Sequence, residues 1–149
     1  MEPSASSVSL FGPIDAILGP YIGYILLALV VVNMVARAAE HGQHVKQARD
    51  GGADALTRSP VRVATNALLL VGAFYFATVE YHAGIVLSVL VVGLVIADLF
   101  EFESRLVEAR REIDIERPKG SIAASVLVLL YAAYTSLFFL IAGVWDAII

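Results

Sequence analysis

The chain has 149 residues, of which 59% are hydrophobic and only 16% charged, with a formal net charge of -4. Mean hydropathy is +0.81, and a soluble domain carries about 25% charged residues, so the composition points to a one-domain membrane protein. Without cysteine, the sequence excludes disulfides, thiolate metal sites and cysteine catalysis.

Residues 1–20 form an external tail. They have no basic leading region, carry Glu2 and Asp15, and are broken by three prolines, which does not read as a secretory signal. Within them Pro13 to Leu18 predicts a short interfacial helix, with Gly12 before Pro13 and Gly19-Pro20 after it.

A helix needs about 20 apolar residues to cross about 30 Å of hydrocarbon. Four stretches qualify, at residues 21–39, 62–79, 83–100 and 121–145. Residues 40–61 and 101–120 connect them on one side. The fold class is therefore all-α: one integral membrane domain over residues 21–149, a four-transmembrane-helix bundle with two cytoplasmic helical extensions.

Orientation follows from charge. The ten basic residues are Arg37, Lys46, Arg49, Arg58 and Arg62, then Arg105, Arg110, Arg111, Arg117 and Lys119. With four spans both groups face the same side, which the positive-inside rule makes cytoplasmic. Both termini are then outside a cell membrane, and Glu80, Tyr81 and His82 form a short wet hairpin tip. Tyr21, Tyr81 and Trp145 fit interfacial anchors.

The first extension, "RAAEHGQHVKQ", places Glu40, His41 and His44 on one helix face, and those residue types can bind zinc. Arg37 falls in the middle of that face, and its fixed charge opposes a metal. No metal or cofactor is expected. The extension ends at Asp50-Gly51-Gly52, and Ser59-Pro60 is a cap and first residue for the second span.

Along the spans, ionisable residues are confined to the ends, Asp98 being the deepest. Such residues within a bilayer usually mark a pathway, so a proton pump or charged-substrate transporter is disfavoured. Asn33, Ser88, Thr135 and Ser136 are the candidate intramembrane polar residues. Gly84-x3-Ser88 and Gly93-x3-Ala97 allow close helix approach.

The second extension is "DLFEFESRLVEARREIDIERPKG". Leu99, Phe102, Leu106, Ala109 and Ile113 follow heptad spacing. Val35, Ala38, Gly42, Val45 and Arg49 do the same on the first extension. Residues 37–49 sum to +2 and residues 98–114 to -3. A parallel stalk is expected, with Glu108 facing Arg49. Pro118 and Gly120 break the chain, and Ser121 is the expected cap of the fourth span.

Overall layout, acidity, a preference for arginine over lysine, and the run "VLSVLVVGLVIADLFEFESR" resemble small multi-span membrane proteins of unknown function from halophilic archaea. The resemblance implies no active site. No nucleotide loop, nucleophile motif or nucleic-acid surface is present in the sequence. The expected function is a non-catalytic accessory or scaffolding component, in contact with lipid, that assembles through its cytoplasmic helices with itself or another membrane protein. The alternative is an oligomeric channel or transporter for a neutral or weakly polar solute.

Overall fold

The computed structural model describes residues 10–138 and 142–148, and among them the regular structure is helical throughout. Six α-helices follow in order: α1 (Pro13–Leu18), α2 (Ile22–Gly51), α3 (Pro60–Val79), α4 (Tyr81–Arg110), α5 (Lys119–Leu137) and α6 (Ala142–Ile148). Single 3-10 turns at Gly19–Tyr21 and Ala53–Ala55 lead into α2 and out of it.

Helices α2 to α5 are each long and apolar enough to cross a membrane. At 1.5 Å per residue, the 30 residues of α2 and of α4 reach about 45 Å, whereas the 20 of α3 and 19 of α5 reach about 30 Å. Helices α2 and α4 therefore project beyond α3 and α5, at the end that carries every lysine and arginine. We call this the basic end.

Packing runs around a ring, α2 on α3, α3 on α4, α4 on α5 and α5 on α2, so α2 and α4 lie diagonally across the bundle. The core is a stack of aliphatic layers that includes Leu26, Val30, Leu69, Val91, Leu94 and Val128. Val32, Leu68, Val71, Val89, Leu127 and Leu130 face outward and are exposed. A helix surface as apolar as its core suits a hydrocarbon surround.

Local signals account for most boundaries. Helix α1 spans the expected residues, and its Asp15 accepts the Tyr75 hydroxyl at 2.6 Å, pinning it to α3. Gly52 at φ 72 ends α2, a backbone state that glycine adopts without strain. The Ser59 hydroxyl accepts from the Arg62 N–H, with Pro60 opening α3. Between α3 and α4 the chain turns at Glu80, with Tyr81 and His82 exposed. A Cβ at Gly84 would collide with the Ala77 backbone, so α3 and α4 touch there through bare main chain. Gly93 makes no such approach.

Two boundaries differ from expectation. Helix α5 begins at Lys119, so Ser121 lies inside it and is buried rather than capping. The stretch expected as one span over 121–145 is helical to Leu137 and again from Ala142, with 139–141 outside the described residues. Nineteen residues already reach about 28 Å, close to a hydrocarbon thickness.

Candidate functional site: a buried charge cluster at the basic end

Along α2 the inward face reads Leu26, Val30, Asn33, Arg37, Glu40, His44, in alternating steps of four and three. Such spacing keeps one stripe in register over five turns. Its upper half is aliphatic and its lower half polar. Helix α3 adds Arg62, Thr65 and Asn66, and α4 adds Asp98 and Arg105, seven residues apart on one face. All of these side chains are buried.

The cluster is knit by charge-assisted hydrogen bonds. Arg37 grips Asp98 side-on, Nε donating to Oδ1 at 3.1 Å and Nη2 to Oδ2 at 2.6 Å. Arg62 lies between two carboxylates: its Nε donates to Glu40 Oε1 at 2.5 Å, and its Nη1 stands 3.3 Å from Asp98 Oδ2. The other Glu40 oxygen accepts the Ser59 backbone N–H at 2.7 Å. Arg105 reaches Glu40 Oε1 at 3.5 Å. Asn33 donates to Thr65 Oγ1 at 2.7 Å and Asn66 Oδ1 at 2.8 Å, and Asn66 in turn donates to Asp98 at 2.8 Å.

His44 completes the group. Its Nδ1 lies 2.8 Å from Arg105 Nη1. A guanidinium can only donate, so Nδ1 accepts, and the ring proton sits on Nε2. That nitrogen donates to the Thr57 carbonyl at 2.6 Å. The imidazole is thus held neutral, and it ties the connecting segment after α2 to the cluster. Phe102 packs edge-on against His44 and carries the Arg58 guanidinium 4.0 Å over its ring.

The sequence-derived candidates divide. Asn33 joins the cluster. Ser88 bonds its own helix at Gly84 O, and Thr135 bonds its own at Ala132 O. Ser136 is buried at the opposite end, against Gly23. The four therefore do not meet. Glu40 and His44 face the cluster, while His41 lines a separate cavity toward α5. Among the described residues no group of three or more His, Asp or Glu could hold a metal.

The heptad stripe is displaced. On α4 the buried row is Leu94, Asp98, Phe102, Arg105 and Ala109, with Leu106 half-buried beside it, whereas Leu99 is 50% exposed. Ile113 lies past the helix, because Arg111 caps α4 and Glu112 turns to φ 58. On α2, Val35, Ala38, Gly42 and Arg49 are exposed. The two extensions do not mesh as a small-on-large stalk. They meet through His44, Arg105 and Phe102, and Leu56 of the intervening segment packs with Phe102 and Ala109. Glu108 accepts the Glu116 N–H at 3.4 Å, and among the described residues no ion pair joins it to Arg49.

Arg37, Arg62, Asp98 and Arg105 were not selected from the sequence as a site. The signal was present as the shared spacing of polar residues on α2, α3 and α4.

Taken together, the geometry defines an all-helical protein with four potential spans and an internal charge cluster at one end. The chain belongs to the family described as Domain of unknown function (DUF7313), whose profile matches residues 5–149. No curated protein and no solved structure matches it.

Proposed function

We propose that the protein is a four-span integral membrane component without catalytic activity, with its basic end in the cytoplasm and both termini outside, which assembles with a protein partner through its basic-end helices. The observation carrying this reading is the mutual pairing of the cluster's charged groups. Both carboxylates engage arginines and His44 is committed at both nitrogens. The layer of Val30, Leu69, Val91 and Val128 is fully buried between that cluster and the other end. Such an arrangement fixes three helices and a connecting segment in one register, a role buried polar groups serve in some bundles. It offers neither a poised nucleophile nor a polar file through one chain.

The ten basic residues at one end support the orientation. Acidity and the excess of arginine over lysine fit a halophilic archaeal origin. The outward side of α4's extension supports assembly: Leu99, Phe100 and Val107 are exposed there beside Glu103, with Ile113 just beyond. The test is the mass and composition of the complex drawn from native membrane in a lipid nanodisc. A stoichiometric second protein or a defined homo-oligomer is expected. A lone monomer would refute assembly.

A further inference from the structure

The cluster's hydrogen bonding is not complete. Arg37, Arg62 and Arg105 face Glu40 and Asp98, each at most 5% exposed, and the half-buried Glu101 also acts on Arg105. A buried donor without an acceptor is costly, so an open donor on these arginines calls for a further acceptor.

The hydrogen bonds show where it would sit. Arg37 donates to Asp98 from Nε and Nη2, along one edge of its guanidinium. Nη1, on the other edge, is buried and has no acceptor. Arg37 also lines a cavity of about 400 Å³ between α2 and α5. The remaining lining is Met34, Ala38, His41, Arg117, Pro118, Ile122 and Ser125. His41 Nδ1 is likewise buried without a partner. The lining contains two arginines and a histidine but no carboxylate.

We infer that this cavity binds a phosphate-type oxyanion, with Arg37 and Arg117 as its cationic clamp, His41 and Ser125 as further hydrogen-bonding groups, and Met34, Ala38 and Ile122 as an apolar wall. Arginine forks match the oxygens of a phosphate. The volume lies within the range of about 300–1,000 Å³ typical of ligand sites, larger than a simple halide needs. The site is amphipathic along its length. Its cations lie toward the basic end, and Met34 and Ile122 lie toward the bundle's middle. It sits where α2 and α5 pass the expected span limits at residues 39 and 121. The phosphate of an anionic lipid headgroup would meet it there, a source that rests on the membrane reading; free phosphate from solution would not depend on it.

The test uses the full chain in phosphatidylcholine nanodiscs, with or without phosphatidylglycerol, and separately with inorganic phosphate against chloride of equal ionic strength. Thermal unfolding and native mass spectrometry read stabilisation and retained ligand. Phosphatidylglycerol raising the unfolding temperature while inorganic phosphate does not assigns the site to the headgroup. Stabilisation by inorganic phosphate alone assigns it to a soluble phosphate. The double variant His41→Gln with Arg117→Gln keeps the cluster intact and is expected to bind at least about tenfold more weakly, the loss of one charge-assisted bond. Arg110→Gln, on exposed α4 surface away from the cavity, is expected to bind as the wild type does. The inference is overturned if neither probe stabilises the chain, if the double variant binds normally, or if Arg110→Gln weakens binding equally. Failure of the orientation experiment below would leave the inorganic-phosphate arm standing.

Discussion

Asp98→Asn is the sharpest single test of the cluster. The side chain is nearly isosteric, so no cavity opens and the change is electrostatic. Asp98 is 5% exposed and accepts from Arg37 at 3.1 and 2.6 Å and from Asn66 at 2.8 Å, with Arg62 at 3.3 Å. An amide keeps one acceptor oxygen and turns an NH₂ toward those donors. The interior loses one negative charge. Removing one partner of a buried pair costs about 3–5 kcal/mol, whereas replacing both by apolar groups is often close to neutral. Asp98→Asn is therefore expected to shift the unfolding equilibrium by more than about a hundredfold. The pair Arg37→Met with Asp98→Leu leaves the interior charge unchanged and is expected to recover at least about 2 kcal/mol relative to the summed single changes. Equilibrium unfolding in mixed micelles, followed by far-ultraviolet circular dichroism, measures each corner of the cycle. A loss below about 1 kcal/mol for Asp98→Asn, or strict additivity in the pair, would refute the reasoning.

Gly84→Val should destabilise the α3–α4 hairpin by about 1–3 kcal/mol through overpacking on the Ala77 backbone, while Gly93→Ala, open on its side, should be neutral or slightly stabilising; the same unfolding assay compares them. His44→Leu removes the imidazole acceptor of Arg105 Nη1, leaving it only Glu40 Oε1 at 3.5 Å, and the donor to the Thr57 carbonyl, and should cost about 1–3 kcal/mol. Its specific sign is faster amide exchange over residues 52–59, with α5 unaffected. The orientation is tested by single cysteines in a chain that has none of its own. His82→Cys should react with an impermeant thiol reagent in whole cells and Lys46→Cys should not, and the reverse pattern would invert the proposed topology.

Hydropathy alone located the four long helices, because runs of valine, leucine and alanine about 20 residues long have few alternatives. Gly52, Ser59-Pro60 and Pro13 marked ends by backbone rules that need no tertiary context. The inward faces were harder. The row Leu99, Phe102, Leu106, Ala109, Ile113 has the pattern of a soluble helix that buries its apolar stripe, yet Asp98 and Arg105 turn inward and Leu99 is exposed. At Leu99, in the last turn of the expected span, an apolar surround leaves little to drive leucine to the centre, and polar groups gather where they can bond one another, whereas Phe102 and Ala109 farther along do turn inward. Arg37 read as a fixed charge opposing a metal, and its carboxylate partner lies 61 residues away. Periodicity gives the face of a helix but not its diagonal neighbour. The 4-3-4 spacing of Asn33, Arg37, Glu40 and His44, set beside Arg62, Thr65 and Asn66, was the available clue.

That separation of 61 residues imposes an order on biogenesis. At about 5–20 residues per second of translation, Arg37 leaves the ribosome roughly 3–12 s before Asp98. Until then the foot of α2 carries a guanidinium whose buried carboxylate partner is missing, which favours keeping that foot in contact with water. Arrival of α4 neutralises it and allows that foot to settle. Helix α5 brings no charge to the cluster, so the arginine–carboxylate pairs are complete once α2, α3 and α4 have met.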